Sequence, residues 1–191
     1  VRIRKTEVGG FGNNTYIVAC RQTGASIIVD AAADADSVIA AASDTEPMSV
    51  VITHGHADHV GAALRVAGEL SLPIRLHVAD WELCPIAIDE PLEPGELRIG
   101  EATVQLVHTP GHTPGSMGIV TAGAAITGDT LFPGGPGATR FPYSDFDQIM
   151  DSIEREYFVL PDETIVMPGH GLDTTIGKER PALPEWRERR W

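Results

Sequence analysis

Disulfide bonds, membrane spans and a leader peptide find little support in this sequence of 191 residues. Its two cysteines, Cys20 and Cys84, are too few for a disulfide framework and neither lies in a C-x-x-C pair, which predicts reduced cysteines in a cytoplasmic protein. No apolar run approaches the roughly 18–20 residues of a membrane helix, so we expect no membrane partner. The opening VRIRKTEVGG has no charged-then-apolar leader pattern, although the absence of an initial Met leaves a removed leader open.

Basic residues are also scarce. Lys and Arg number 14 against 27 Asp and Glu, which gives a formal net charge of −13 at pH 7. Proteins that bind nucleic acid do so mainly through Lys and Arg contacts to phosphates, so this balance argues against a nucleic-acid partner and against a nuclease.

The order of apolar segments predicts an α/β fold with mixed sheets. Hydrophobic residues make up 42% and charged residues 21% of the chain, an ordinary globular composition that we interpret as one domain over residues 1–191. TYIVAC, ASIIVDA and ATVQLVHT indicate strands, and several such segments run directly into loops rich in Gly, Pro and Thr. The clearest helix is SDFDQIMDSIEREYF, whose apolar residues share one face and whose start Ser144 and Asp147 are expected to cap.

Three of the seven histidines fall within six residues, in the segment THGHADHVG at positions 53–61. With 13 Asp in the chain, chance produces the pattern H-x-H-x-D-H about 6 times in 10,000 sequences of this composition. A solvated polar loop, or Asp58 as the N-cap of the helix predicted for VGAALRVAGEL, explains the aspartate but not three histidines. Imidazole is the commonest protein ligand for zinc and also binds copper, iron and nickel, so the segment predicts a metal site.

Further candidate ligands follow other strand-like segments and lie beside glycine, which permits tight turns and close backbone approach. They are His112 in HTPGHTPGS, Asp129 in ITGDTLF and His170 in MPGHG. The two remaining histidines, His77 and His108, lack such settings, and we interpret them as structural.

Five histidines and two aspartates are enough for two divalent metal ions. In an extended loop residues i and i+2 point the same way, so His54 and His56 can bind one ion while Asp58 and His59 suit a second. Asp129 is the natural bridge because a carboxylate has two oxygens to share. Two ions roughly 3.5–4 Å apart hold a water between them as hydroxide near neutral pH, which is the nucleophile of a hydrolase. No Ser-His-Asp constellation, G-x-S-x-G, P-loop or dinucleotide motif competes.

The ordered motifs THGHADH, GHTPGS, GDTLF and PGHG resemble the metallo-β-lactamase superfamily, and within it the short glyoxalase II-like hydrolases, from about Asn14 to about Gly171. This resemblance implies a four-layer αββα sandwich, with helices outside two mixed sheets and the metals at one edge. Zinc is the first choice of metal because nitrogen and oxygen ligands with an open position suit it, and iron or manganese are alternatives. The resemblance also assigns the ligands: His54, His56 and His112 for the first ion, Asp58, His59 and His170 for the second, and Asp129 between them.

The activity that the resemblance implies is hydrolysis of a small-molecule thioester. The bridging hydroxide attacks the acyl carbonyl, a metal stabilises the oxyanion, and Asp58 acts as a catalytic residue that orients the hydroxide. Arg140, Tyr143 and Lys178, together with Arg180, are candidates for binding a carboxylate of the substrate, which Arg does well through its bidentate fork.

Selectivity for the thiol carrier is expected to be weak. Full-length glyoxalase II carries a C-terminal helical domain that helps to hold glutathione, whereas about twenty residues follow Gly171 here. We therefore expect an open pocket, with part of its wall formed by the Gly- and Pro-rich segment from Phe132 to Tyr143. A second copy of the chain in a homodimer is the alternative source of the missing wall.

Other activities of the same fold stay open. A persulfide dioxygenase uses one iron on residues matching His54, His112 and Asp129, which are all present, but its usual G-R-T-D stretch is replaced here by GATRFP. A lactonase would direct the same hydroxide at an ester. The β-lactamases proper commonly place a Cys at the second metal, and neither Cys20 nor Cys84 falls in a matching motif.

Overall fold

Two six-stranded sheets form the centre of the computed structural model, which describes residues 1–190. In the first sheet the strands pair in chain order, antiparallel among the first three and parallel among the last four. Its strands are β1 (Arg2–Val8), β2 (Asn13–Ala19), β3 (Ala25–Val29), β4 (Glu46–Val51), β5 (Ile74–Leu76) and β6 (Glu90–Pro91).

The second sheet contains the remaining long strands and is also mixed. Its strands are β7 (Gly95–Ile99), β8 (Ala102–His108), β9 (Met117–Thr121) and β10 (Ala124–Gly128), followed by β13 (Ile165–Pro168) and β14 (Thr174–Thr175). The spatial order is β14-β13-β10-β9-β8-β7, and only the pair of β10 with β13 is parallel. A small hairpin of β11 (Leu131–Phe132) and β12 (Gly135–Pro136) projects after β10.

Helices cover the outer faces of both sheets. They are α1 (Ala35–Ala42), α2 (Ala57–Val60), α3 (Ala63–Leu70), α4 (Phe146–Ser152), α5 (Ile176–Glu179) and α6 (Leu183–Arg189), with single 3₁₀ turns at Val78–Asp80 and Arg180–Ala182. The predicted four-layer αββα sandwich is confirmed. Across residues 1–190, every helix is too short or too polar to reach from one side of a bilayer to the other.

The alternation of side chains along β2 shows how the layers are built. Tyr16 and Val18 point into the core between the two sheets, whereas Ile17 points outward into the core beneath α1 and α3. A strand with helices on one side and a second sheet on the other is buried on both faces, and residues 16–19 of β2 are accordingly all apolar. The seven residues of β2 are all buried.

The helix predicted for residues 144–158 begins later and ends differently. Asp145, rather than Ser144 with Asp147, caps the start by accepting a hydrogen bond from the Gln148 N–H at 3.0 Å. The α-helix ends at Ser152 and the chain continues as one π-helical turn over Ile153–Tyr157. The extra residue in that turn keeps both Ile153 and Tyr157 in the core that α4 and α6 form on the second sheet.

Trp186 anchors α6, and its loss is expected to be costly. Its side chain is 1% exposed and lies against Phe158, with ring centroids 6.0 Å apart. We expect Trp186→Ala to lower the free energy of unfolding by about 3–5 kcal/mol, since it removes a large buried aromatic and leaves a cavity. Urea denaturation followed by circular dichroism measures this, with Leu172→Ala, at an 82% exposed position, as the neutral control. A loss below about 1 kcal/mol would contradict the anchoring role.

Candidate metal centre

Side chains with nitrogen or oxygen donors meet at one edge of the sandwich, just beyond the ends of four strands. The segment 54–59 follows β4, His112 follows β8, Asp129 follows β10 and His170 follows β13. In the second sheet β8, β10 and β13 run in one direction, because β9 is antiparallel to both of its neighbours and β10 is parallel to β13. Their carboxyl ends therefore share an edge, and a 2.8 Å hydrogen bond from the Met117 N–H to the Thr53 carbonyl joins it to the first sheet.

His54, His56 and His112 form the first group of donors. His56 Nδ1 lies 3.0 Å from His54 Nε2 and 3.1 Å from His112 Nε2. The three donor atoms all lie within 4.8 Å of one another. On the outer side the Phe141 ring lies 5.1 Å from the His56 ring and stacks on Tyr143 at 5.4 Å, so aromatic rings screen this group from water.

Asp58, His59 and His170 form the second group, and Asp129 lies between the two. His170 Nε2 is 3.2 Å from His59 Nε2 and 3.3 Å from Asp58 Oδ2. Asp129 Oδ2 lies 3.5 Å from His170 Nε2 and 3.7 Å from His112 Nε2, and its Oδ1 lies 3.5 Å from His59 Nε2. One carboxylate therefore faces members of both groups, which is the geometry expected of a bridging ligand.

The outward-facing ring nitrogens determine which nitrogen points inward. Three Nδ1 atoms face oxygens that only accept: His59 lies 2.9 Å from Asp30 Oδ2, His112 lies 2.8 Å from the Ala138 carbonyl, and His170 lies 3.1 Å from the Phe11 carbonyl. Each of these nitrogens must donate, which leaves Nε2 with a free lone pair in the neutral ring. His54 follows the same rule, because the Thr53 hydroxyl donates to Asp30 at 2.7 Å and accepts from His54 Nδ1 at 3.1 Å.

The donor set fits divalent cations. A tetrahedral site with metal–nitrogen distances of 2.0–2.1 Å separates its ligand atoms by about 3.3 Å, close to the 3.0–3.2 Å between the facing histidine nitrogens. Inward lone pairs at such distances repel one another unless a cation lies between them. In addition, Asp129 Oδ1 is buried and has no hydrogen-bond partner among residues 1–190, which is costly for a carboxylate that binds no cation.

Burial and neighbouring charges shift the pKa values of the histidines in opposite directions. Burial lowers the pKa of His54 and of His112, so both rings are neutral at pH 7 and available as ligands. Burial also opposes charge on His59, but the carboxylates of Asp30 and Asp129 outweigh it and raise the pKa of His59 well above its ordinary value. A cation that binds the second group therefore displaces a proton from His59.

Asp30 supports the centre from beneath, and sequence reasoning missed it. Its buried carboxylate accepts hydrogen bonds from the Thr53 N–H at 2.7 Å, the Thr53 hydroxyl at 2.7 Å and His59 Nδ1 at 2.9 Å. Asp30 follows β3 with a positive φ of 54°, a conformation that Asp tolerates better than most residues. The available signal was an Asp directly after the apolar strand ASIIV, the same setting as the predicted ligands.

Asp80 is a second buried carboxylate that sequence reasoning missed, and it joins two ligand loops. It accepts from the Gly55 N–H at 2.8 Å, the Thr113 hydroxyl at 2.7 Å and the Gly115 N–H at 2.6 Å. A Cβ at Gly115 would lie 2.7 Å from the Asp80 carboxyl carbon, which explains the glycine in GHTPGS. Asp80 therefore fixes the loop of His54 and His56 against the loop of His112.

The expectation that Asp58 caps a helix is wrong. The short helix α2 begins at Ala57 after an extended His56 with ψ 144°, so Asp58 lies in its first turn. The Asp58 carboxylate points toward the donors instead, where it accepts a 3.2 Å hydrogen bond from the Asn13 side chain. The hydrogen bond from His170 holds the pKa of Asp58 well below its ordinary value and keeps it ionised.

A cleft of about 720 Å³ opens above the donors, and some of the predicted substrate-binding residues line it. Its wall includes the segment 132–138 together with Phe11, Arg140 and Phe141. Tyr143 lies beside it, with its hydroxyl 2.8 Å from His56 Nε2. Lys178 in α5 is not among the described residues that line this cleft.

The other polar residues considered from sequence lie apart from the donors. Arg180 forms an ion pair with Asp162 and a hydrogen bond to the Leu160 carbonyl. His77 and His108 stack on each other with ring centroids 4.3 Å apart and an interplanar angle of 18°, a packing arrangement. Cys20 and Cys84 are both free thiols.

We expect close to two divalent ions per chain, because the seven donors form two groups around a shared carboxylate. Plasma mass spectrometry on protein purified without added metal measures the content, and anomalous diffraction locates each ion. His170→Ala should reduce the content toward one, and His77→Ala should leave it unchanged. One firmly bound iron, with no second ion even in excess metal, would contradict the two-ion arrangement.

Asp30→Asn is expected to weaken metal binding by about 10–100-fold, the usual effect of removing the partner of a ligating histidine. Whichever way the amide turns, its NH₂ faces at least one of the N–H and O–H donors that the carboxylate now accepts. Competition with a chromophoric chelator measures the affinity. Asp89→Asn is the matched control, since Asp89 also accepts a backbone N–H at 2.8 Å but does so at Ile74. Equal affinities of the Asp30→Asn variant and the parent, with unchanged circular dichroism, would refute the supporting role.

Solved structures of similar proteins share this fold. BLEG-1, a B3 metallo-beta-lactamase, superimposes with a TM-score of 0.88 at 28% identity, covering 96% of this chain and 99% of its own. ETHE1 from Myxococcus xanthus gives 0.84 at 28% identity, covering 96% and 84%. TTHA1623 in a di-iron-bound form gives 0.82 at 29% identity, covering 93% and 96%.

Sequence comparison agrees with the structures. Hydroxyacylglutathione hydrolase GloC from Haemophilus influenzae is 35% identical over 71% of this chain and 74% of its own length. The sequence profile of the metallo-beta-lactamase superfamily matches residues 8–170, which contain all seven donors. The chain therefore belongs to the metallo-beta-lactamase superfamily, whose members bind divalent metal ions.

Proposed function

We propose that this protein is a thioester hydrolase of the glyoxalase II type that works with two divalent ions, zinc in the first instance. The observation that carries the proposal is the position of Asp129, whose two oxygens face histidines of both donor groups. The ligands would be His54, His56 and His112 for one ion and Asp58, His59 and His170 for the other. When bound, such a pair lowers the pKa of water and polarises an acyl carbonyl.

Asp58 is proposed to orient the attacking water. Its carboxylate lines the cleft, is kept ionised by His170 and is fixed by the Asn13 side chain at 3.2 Å. An ionised carboxylate accepts hydrogen bonds but donates none, so it can direct a water proton away from the acyl carbon. A thiolate leaves readily, so the reaction needs no strong general acid on the other side of the scissile bond.

The cleft supports a small-molecule substrate. Its volume of about 720 Å³ lies within the range of roughly 300–1,000 Å³ typical of ligand pockets. Phe132 and Phe141 give it apolar walls, and Arg140 gives it a charged one. We propose that Arg140 and Tyr143 contact the substrate, whereas Lys178 is the weakest of the sequence candidates because it is not among the described residues of the cleft wall.

A persulfide dioxygenase is the second candidate. The likeness to ETHE1 from Myxococcus xanthus favours it, and so does the presence of His54, His112 and Asp129, the residues matching the single-iron site. Against it stands the second donor group, in which Asp58, His59 and His170 converge to within 4.8 Å although a single-iron enzyme does not need them. A lactonase or a β-lactamase would use the same centre on another carbonyl.

A substrate panel tests the proposal. We expect turnover of lactoyl thioesters of glutathione, of a second cellular thiol and of a minimal thiol, with kcat/KM above that for a lactone, a β-lactam or a persulfide. Asp129→Ala should lower kcat/KM by more than about a hundredfold, because it alters both ions, and by more than Arg140→Ala. Turnover of the lactone alone, or oxygen consumption with the persulfide, would overturn the thioesterase assignment. A glutathione preference of a hundredfold, about 2.7 kcal/mol, would contradict weak carrier selectivity.

A further inference from the structure

We propose that Tyr143 is a positioning residue for the first donor group, and that it links occupancy of this group to the order of the cleft wall. Its hydroxyl lies 2.8 Å from His56 Nε2, on the side of the ring that faces away from the other donors. Tyr143 belongs to residues 138–145, which we call the outer segment. The inference goes beyond the proposed hydrolysis, because it concerns how a cation is held and not which bond is broken.

His56 is the exception among the five ligand histidines. The other four donate from Nδ1 and turn Nε2 inward, whereas His56 turns Nδ1 inward, 3.0 Å from His54 Nε2 and 3.1 Å from His112 Nε2. The partner of its outward nitrogen is the Tyr143 hydroxyl, which can donate or accept. The other four rings are fixed in one tautomer, but the surroundings of His56 accept either one.

Two arrangements of the His56 proton follow from these contacts. Without a cation, the inward lone pairs of His54 and His112 favour a proton on His56 Nδ1, so Nε2 accepts a hydrogen bond from the Tyr143 hydroxyl. Ligation requires the lone pair of Nδ1, so the proton moves to Nε2 and is donated to the Tyr143 oxygen. The ring stays neutral and no proton is gained or lost. A cation-bound imidazole is a stronger donor than a neutral hydroxyl, so this hydrogen bond is stronger in the loaded chain and favours loading.

The outer segment contacts the first donor group at several points. The Tyr143 ring stacks on Phe141, with centroids 5.4 Å apart and an interplanar angle of 10°. The Ala138 carbonyl accepts from His112 Nδ1 at 2.8 Å, and the Ser144 hydroxyl donates to the His112 carbonyl at 2.7 Å. These contacts hold the two histidines of the group that lie nearest the cleft.

The second donor group has different supports. His59 Nδ1 lies 2.9 Å from Asp30, and His170 Nδ1 lies 3.1 Å from the Phe11 carbonyl. Neither partner belongs to the outer segment. A change at the Tyr143 hydroxyl should therefore act on the first site alone, whereas Asp30 serves both groups through His59 and Thr53.

The outer segment is also part of the cleft wall. Arg140 and Phe141 line the cleft, and the Arg140 guanidinium lies 5.5 Å from the centroid of the Phe141 ring. Because Phe141 stacks on Tyr143, a ring that faces the cleft is fixed to the hydroxyl that contacts His56. Occupancy of the first group therefore orders this wall. By linkage, a ligand that fixes the wall raises the affinity of the first group for its cation.

Zinc binding to single-site variants tests the positioning role. His170→Ala retains the first donor group, and His112→Ala retains the second. Tyr143 is 37% exposed, so Tyr143→Phe removes the hydroxyl without opening a core cavity. Competition with a chromophoric chelator should show that Tyr143→Phe raises the zinc dissociation constant about tenfold in the His170→Ala chain. In the His112→Ala chain the constant should stay within about twofold.

Ser144→Ala is the matched control, since it removes another hydrogen bond of the outer segment to the first group. Its partner is a backbone carbonyl and not a ring nitrogen, so zinc affinity should change by less than about threefold. A loss as large as that of Tyr143→Phe would assign the effect to packing of the whole segment and overturn the role of the hydroxyl.

Nuclear magnetic resonance of the imidazole nitrogens detects the tautomer directly. In the zinc-loaded His170→Ala chain the proton should lie on His56 Nε2 and exchange slowly with water. Tyr143→Phe should accelerate that exchange about tenfold and leave the His112 Nδ1 proton unchanged, because its carbonyl partner remains. Equal acceleration at both rings would indicate general loosening and contradict the proposal.

Amide hydrogen exchange tests the link to the cleft wall. The Ser144 N–H donates to the Phe141 carbonyl at 3.0 Å, and the Asp145 N–H donates to the Gly111 carbonyl at 2.8 Å. Zinc should slow exchange at both amides in the His170→Ala chain, and Tyr143→Phe should reduce this protection about tenfold. Identical protection with and without the hydroxyl would refute the link.

The result is independent of turnover. Equal zinc affinities of the His170→Ala chain with and without the Tyr143 hydroxyl, with unchanged circular dichroism, would refute the positioning role, and so would equal losses at both sites. If no thioester is hydrolysed but the loss is confined to the first site, the proposed function fails and the role of Tyr143 stands. If thioesters are hydrolysed and the affinities are equal, the reverse holds.

Discussion

The carboxylate of Asp30 is the contact on which the metal centre depends. It lies beneath the segment THGHADH, accepts both the N–H and the hydroxyl of Thr53, and orients the His59 ring. Through the Thr53 hydroxyl it also determines the tautomer of His54. One buried charge thus fixes the start of the ligand segment and two of its rings, and its own desolvation is offset by three hydrogen bonds.

The fold explains why a loop segment can carry such chemistry. Each ligand follows a buried strand whose position is set by pairing on either side, so the loops begin from fixed points. Asp80 then joins two of these loops through their backbone N–H groups and the Thr113 hydroxyl. Precision at the donors comes from these buried carboxylates and from the cleft wall that follows Asp129, where the Ala138 carbonyl orients the His112 ring.

Local patterns in the sequence predicted the fold class and the metal-ligating residue types. They did not predict contacts between residues that are distant in the chain. One short motif contains His54, His56, Asp58 and His59. Chance rarely produces this spacing, so the motif was visible in the sequence alone. Asp30 and Asp80 lie more than twenty residues from the loops that they support, and nothing local distinguishes them from turn residues. The cap expected at Asp58 was wrong because the backbone remains extended through His56. For Lys178, the sequence could not tell that α5 contributes no described residue to the cleft wall.

Each donor group draws two side chains from the loop after β4 of the first sheet and one from a loop of the second sheet: His112 completes one group and His170 the other. A cation in either group is therefore a cross-link between the two halves of the sandwich, and its binding free energy adds to folding as well as to catalysis. At a free metal concentration of a hundred times the dissociation constant that contribution is about 2.7 kcal/mol per site. The stability of the fold is thereby tied to the metal supply of its surroundings, so scarcity would weaken the fold as well as the activity.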